Sequence, residues 1–315
     1  MTESNTTSDS VLAVDIGGSK LLAGIVDPCG NILDTYRVEF LKTPDREIVV
    51  NAVAEAADKL LKGGAVGAGR IGKVGINIPG LADSKNGIWV DAPFSGIKNF
   101  NIAEEIGDML SLPVYIENDV NSCALAEKYY GICKNTEDYI WITISNGIGG
   151  SIVTSGNLYT GFSGNAGEIG HLVVENDPEL AFKCGCGNTG CLEAMAAGPA
   201  IARWYQRFES DKPALSSKDV GEYAKQGDLN AVKAFNMAAH YLAKGISYAV
   251  NLLNPEKVVL GGGVTMDYEL WKYAFISELK KFTFNKANQD LSVELTGLGY
   301  NAALLGAAAI TRNGE

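Results

Sequence analysis

Residues 164–193 read GNAGEIGHLVVENDPELAFKCGCGNTGCLE, and they set the reading of the whole chain. Three of the six cysteines, Cys184, Cys186 and Cys191, fall within eight residues, and His171, one of two histidines, lies thirteen positions before the first of them. Three thiolates and an imidazole are the donor set that tetrahedral zinc prefers, because both suit a borderline-soft ion. Gly185, Gly187 and Gly190 let the backbone fold tightly enough for the sulfurs to converge. The alternative is a disulfide or a set of unpaired thiols, which a Cys-x-Cys pair and the lack of an export signal disfavour. A structural zinc site is therefore expected here. Glu168 and Glu193 flank it, and a metal-anchored loop would hold both carboxylates rigidly for a polyhydroxylated ligand. Taken alone, Glu168 is equally a surface residue on a turn.

Working outward, glycine turns punctuate short apolar strands. Val11–Ile16 leads into Gly17-Gly18-Ser19-Lys20 and a returning strand, Leu21–Val26; Ile32–Val38 follows as a third strand. Asp15 stands at the mouth of that hairpin, where exposed N–H groups suit a phosphate and an acid suits magnesium-bound water. The pattern recurs: strand Tyr139–Ile144, then Ser145-Asn146-Gly147-Ile148-Gly149-Gly150, then Ser151–Thr154. A third glycine run, Gly261-Gly262-Gly263, follows strand Lys257–Leu260 and precedes a helix whose N-terminus adds a favourable dipole. Each could be a plain turn. Three at strand ends of an alternating α/β chain predict a nucleotide cleft.

Between the first two hairpins, the pattern predicts a helix over 45–61, a buried strand Lys73–Ile78 ending at Pro79-Gly80, a helix Ile102–Leu110 and a strand Val114–Glu117. Asn118-Asp119 then opens a helix running to about Tyr130. Both residues suit an N-cap, and a carboxylate there can also accept a proton from a hydroxyl attacking phosphorus. After the cysteine loop come helices Pro199–Phe208, Ser217–Lys225 and Leu229–Leu253, a strand Leu291–Thr296 and an Ala-rich helix Ala302–Ile310. His240, set among apolar residues of the longest helix, reads as a packed core histidine.

Charge and composition bound the partners. The 315 residues carry 26 basic and 37 acidic groups, a net charge of −11, which argues against nonspecific nucleic-acid binding and against an anionic membrane surface. No apolar run approaches the roughly eighteen residues needed to cross a bilayer. The polar first ten residues read as a disordered tail without a signal peptide, and Cys29, Cys123 and Cys133 are scattered as free thiols would be. The expected setting is cytoplasmic.

VLAVDIGGSK, IENDVNSCALAE, TISNGIGG and above all GEIGHLVV with CGCGNTGCLE resemble the ROK family of bacterial sugar kinases and sugar-responsive repressors, over nearly the whole chain after the tail. The resemblance implies the α/β actin-like ATPase (ribonuclease H-like) fold, with two lobes closing over ATP and a hexose, Mg2+ on the phosphates, structural Zn2+ and a homodimer. The expected division is a small lobe, 11–117 plus 300–315, and a large lobe, 118–299, carrying the zinc loop. Asp119 would be the base acting on the sugar 6-hydroxyl. Asn118, Glu168, His171, Glu193 and Gly80 would bind the sugar, with His171 also joining Cys184, Cys186 and Cys191 on zinc. Asp15, Gly17, Gly18 and Lys20 would form the first phosphate turn; Thr143, Gly147, Gly149 and Gly150 the second; Gly261, Gly262 and Gly263 would face the adenosine. Glucokinase-like relatives carry Asn after Ala-Pro where Phe94 stands, so glucose is only the default hexose; fructose, allose and N-acetylhexosamines are alternatives. Two rival functions are a repressor, which would add a DNA-binding domain ahead of Val11, and an ATPase that turns over without sugar.

Overall fold

A strand such as Val11–Ile16, apolar on both faces, is stable only if covered on both sides, and its surroundings supply that cover. The structure is a computed structural model and describes residues 9–63, 69–92, 95–209, 212–213 and 216–312; Phe94 lies outside them. In chain order it forms β1 (Ser10–Ile16), β2 (Lys20–Val26), β3 (Ile32–Glu39), α1 (Arg46–Gly63) and β4 (Ile71–Ile78). Three short strands follow, β5 (Leu81–Asp83), β6 (Ile88–Asp91) and β7 (Lys98–Asn101), then α2 (Ile102–Leu110), β8 (Val114–Asn118) and α3 (Asp119–Tyr129). Next come β9 (Tyr139–Ile144), β10 (Ile148–Thr154), β11 (Asn157–Tyr159), α4 (Leu192–Ala196), α5 (Gly198–Phe208), α6 (Ser217–Lys225) and α7 (Leu229–Leu253). The chain ends with β12 (Lys257–Gly261), α8 (Tyr268–Phe282), β13 (Ser292–Leu295) and α9 (Ala302–Ala309).

The chain divides into two compact units. The first comprises residues 1–135, 158–166 and 296–315; the second comprises 136–157 and 167–295. The boundary therefore falls after Asn135, not at 117/118, and the return falls after Leu295, not near Gly299. The physical reason is α9. It is apolar all round and buried along its length, so it needs partners on several sides. It finds them in β1, β4 and α3: a Cβ on Gly75 of β4 would strike the Ala307 carbonyl, and one on Gly306 would strike Ser122 of α3. That packing keeps α3 in the first unit.

In the first unit the sheet runs β3-β2-β1-β4-β8, with β1 antiparallel to β2 and parallel to β4, and β4 parallel to β8. Leu12, Val14, Leu21, Val53, Ile76 and Ile106 are among its core residues. The short meander β5-β6-β7 adds Trp89, whose indole N–H donates to the Pro79 carbonyl at 2.9 Å. At the far end of α3 the buried Glu127 carboxylate accepts from the Ile132 N–H at 2.9 Å and from the Thr296 hydroxyl, on the stretches leading out of and back into this unit.

In the second unit the sheet runs β11-β10-β9-β12-β13, and β9 again has an antiparallel hairpin partner on one side and a parallel strand on the other. The two sheets thus repeat one strand order. Helix α7 threads this unit's core, its own Phe235 and Tyr241 sharing that core with Trp204 of α5 and Phe275 of α8. Its Asp228 N-cap accepts from the Asn230 and Ala231 N–H groups, and Asn254 closes it in the left-handed conformation. His240 is half-buried, with Nδ1 2.9 Å from Glu278 of α8 and its ring edge-on to Tyr241 and Phe282, a structural position. Among the described residues no helix is long and apolar enough to cross a membrane.

Candidate active site

In the first unit, the carboxyl ends of the parallel strands β1, β4 and β8 bring together Asp15, Asn77, Gly80, Asn118 and Asp119, where ligands of α/β sheets bind. Asn118 caps α3: its Oδ1 accepts from the Val120 N–H at 2.9 Å and the Asn121 N–H, and its amide donates to the Gly80 carbonyl at 2.9 Å. The same side chain also hydrogen-bonds the Asp119 carboxyl. Asp119 follows at the first position of α3, half-buried, with Oδ1 taking the Val120 N–H at 3.0 Å. Burial, and then the negative charge of Asp15, push its carboxyl up to about 6. Asp15 is also raised by burial, while an Asn77 hydrogen bond and the Lys20 charge pull it back.

Asn77 of this set, and Glu117 beside it, carried no signal in their own motifs. Asn77 pairs across the sheet with Asp15, is fully buried and donates to the Ala303 carbonyl. Glu117 is a buried acid that accepts from the Asn118 N–H at 2.9 Å, Ser84 Oγ at 2.9 Å and Asn121 Nδ2 at 3.1 Å, so burial raises its carboxyl while three donors hold it down. An acid inside an otherwise apolar strand was the legible hint. The hairpin of Gly17, Gly18 and Lys20 closes tightly, the Gly17 N–H donating to the Lys20 carbonyl at 2.8 Å, with Gly18 and Lys20 exposed.

The second unit holds the other set. The donor atoms of His171, Cys184, Cys186 and Cys191 all lie within 4.8 Å of one another. Cys186 Sγ sits 3.7 Å from Cys191 Sγ, and Cys184 Sγ sits 3.8 Å from His171 Nδ1. Sulfurs about 2.3 Å from a shared tetrahedral ion stand about 3.8 Å apart, whereas a disulfide closes to about 2.05 Å. All six cysteines are free thiols. Burial and the neighbouring thiols push the Cys191 thiol up to about 12, so three ionised sulfurs here require a cation. The four residues fit a metal ion. Because Nδ1 faces the sulfurs, His171 Nε2 is left beside Glu168, 3.7 Å from Oε2, with both side chains exposed.

Glu193, at the start of α4, accepts the Ile148 N–H at 3.1 Å on one oxygen, and a Cβ on Gly147 would strike that same oxygen. The acid is thus seated on the second hairpin, whose turn is closed by the Ser145 N–H donating to the Gly147 carbonyl at 2.9 Å. Gly149 and Gly150 are not part of that turn. They lie in β10 opposite Thr143 and Ile142, and Gly150 is a packing position pressed by Ile169 and the Gly167 carbonyl. Thr143, half-buried, is flanked on neighbouring strands by Gly149 and Gly261, which leaves bare backbone on both sides of its hydroxyl. Gly262, at φ +93°, lies against the backbone of Ile144 with no room for a Cβ. No α-helix opens at Gly263; a 3-10 turn, Gly263–Asp267, precedes α8. The helix dipole expected there is displaced by a turn and a half.

Comparison with known proteins gives the same picture. The ROK family pattern matches residues 11–313. A glucokinase of Thermotoga maritima is 30% identical, covering 96% of this chain and 97% of that protein. Among solved structures, a ROK family glucokinase from Streptomyces griseus, in complex with glucose and AMPPNP, superposes with a TM-score of 0.80 at 30% identity, covering 97% of this chain and all of that one. A ROK family transcriptional regulator, homologous to the Escherichia coli MLC protein, superposes with a TM-score of 0.87 at 27% identity, covering 96% of this chain and 78% of that one. The α/β architecture is that of the actin-like ATPases, and the chain belongs to the ROK family.

Proposed function

We propose that the protein is a sugar kinase that transfers the γ-phosphoryl group of ATP to a hexose hydroxyl, with the 6-hydroxyl of glucose as the default acceptor. The observation that carries this reading is Asp119: a half-buried carboxylate at the mouth of α3, held near pKa 6 by burial and Asp15. At neutral pH it is ionised yet basic enough to take a proton. The hydroxyl proton passes to Asp119 as its oxygen bonds to phosphorus, the bond from phosphorus to the bridging oxygen breaks, and ADP leaves. Glu168, His171 Nε2 and Asn118 orient sugar hydroxyls; Glu193 ties the sugar side to the Gly147 turn. Mg2+, when bound with ATP, supplies charge neutralisation on the phosphates, and Asp15 is the group to hold its water shell. Zn2+ on His171, Cys184, Cys186 and Cys191 braces the loop and takes no part in bond making. The enzyme works in the cytoplasm as a homodimer on this reading, which light scattering on the purified protein checks.

The test is a coupled ATP assay over glucose, fructose, mannose, allose and the N-acetylhexosamines. Asp119→Asn is expected to lower kcat by about 10³-fold with sugar affinity nearly unchanged, and wild-type kcat to fall as the pH drops through about 6. Near-normal turnover in the variant would remove Asp119 from the role. The likeness to a transcriptional regulator supports a second reading, sugar-dependent regulation without turnover; it predicts sugar binding with no ADP produced by any hexose.

A further inference from the structure

Beside the cysteine cluster lies a small pocket of about 70 Å³, lined by Asn146 of the second hairpin, Lys183 and Cys184 of the loop, Glu193, Pro199 and Arg203. Two cations face it, Lys183 and Arg203, and neither makes an ion pair among the described residues. Arg203 is also held in place. Its guanidinium lies over the Phe182 ring, 4.9 Å from the centroid, and its Nε donates to the Pro199 carbonyl at 3.4 Å, so its terminal nitrogens remain for a ligand. Glu193 brings the one carboxylate, and an oxygen of it is already occupied by the Ile148 N–H. The first turn of α5 offers little besides its dipole, because the Gly198 N–H is spent on the Ser145 carbonyl and Pro199 has none. The two side chains must therefore do the binding.

We propose that Lys183 and Arg203 form an anion subsite that grips a phosphate group of the nucleotide at the mouth of the Gly147 hairpin. The inference rests on the kinase reading for the identity of the ligand, and it adds a coupling. Lys183 directly precedes Cys184, so the loop that carries the sugar-side groups Glu168 and His171 also carries a phosphate cation. Losing the metal would then weaken nucleotide binding as well as sugar binding.

Isothermal titration of AMPPNP and of inorganic pyrophosphate into the full chain tests this, using wild type, Lys183→Gln, Arg203→Gln and Arg203→Lys. Lys183 is exposed on the loop, so its replacement is expected to leave the fold intact. Lys183→Gln and Arg203→Gln are each expected to weaken AMPPNP by about tenfold, with sugar affinity unchanged and Arg203→Lys recovering part of the loss. Unchanged AMPPNP affinity in both Gln variants overturns the proposal; loss confined to pyrophosphate overturns its assignment to the nucleotide. The sugar-panel assay on wild type separates this from the parent reading. Turnover with insensitive AMPPNP binding sinks the subsite alone, and sensitive binding without turnover on any sugar sinks the kinase reading alone.

Discussion

On the kinase reading, the demands of catalysis and stability pull in opposite directions at Asp119. A base with a pKa of about 6 has been lifted from the ordinary aspartate range by burial and by Asp15, so the folded state binds its proton more tightly than the unfolded chain does. The sign follows. The raised value favours the fold at pH below about 4, and that benefit is lost as the pH climbs through about 6, where the ionised group becomes a burden. Asp119→Asn mimics the protonated form permanently. The variant is expected to be more stable than wild type by about 1–2 kcal/mol at pH 8, roughly 2–4 °C in Tm, and equal to it near pH 4, while being inactive. Differential scanning calorimetry at the two pH values measures this; a destabilised variant at pH 8 would mean the charged form is better solvated than its surroundings suggest. Asn118, one residue earlier, has the opposite character, since its amide is almost fully spent on capping α3 and on Gly80.

At the scale of elements, the loop between β11 and α4 is built around the four converging donors. It has little regular structure of its own beyond the 3-10 turn Ile169–His171 and two isolated bridges, Val173 with Cys191 and Lys183 with Thr189. A segment so poor in ladder hydrogen bonds is expected to depend on a metal held by these four residues. Removing it with a chelator, or replacing Cys184 with Ser, is expected to cost at least tenfold in sugar affinity and several degrees in Tm, with zinc restoring the chelated wild type. Sugar affinity untouched by chelation would detach the loop from the binding site. This cluster was legible because four ligating side chains, three thiols and an imidazole, within a short span leave few other readings. So were β1, β9, α2, α6 and α7, whose lengths let apolar period and caps agree. Strands β5 to β7 were not, since three or four residues cannot display an alternation. Nor was the limit of the second turn: a glycine written beside a turn looks the same whether it bends the chain or, like Gly150, makes room for Ile169.

For the whole molecule, the chain passes between its units after Asn135, Asn157, Ala166 and Leu295. Two of these passages lead from residues that Glu127 holds: Ile132 by its N–H and Thr296 by its hydroxyl. A buried acceptor facing two donors has no use for a donor of its own. Glu127→Gln should therefore lose about 1–3 kcal/mol, lower Tm by about 2–6 °C, and speed proteolysis near residues 131–136 and 295–298. Unaltered cleavage there would show those stretches to be anchored by other contacts. The sequence placed this boundary too early because it cannot show that a C-terminal helix returns to pack on α3.

The repeated strand order has a consequence for how labour is divided. Both sheets start from the same plan, a strand with a tight reversal on one side and a parallel neighbour on the other, yet they finish it with different chemistry. The first ends in Asp15 and Asp119, ionisable and poised. The second ends in Thr143 and the run from Gly261 to Gly263, nearly devoid of side chain. One sheet ends in groups able to carry a proton, the other in bare backbone that makes space.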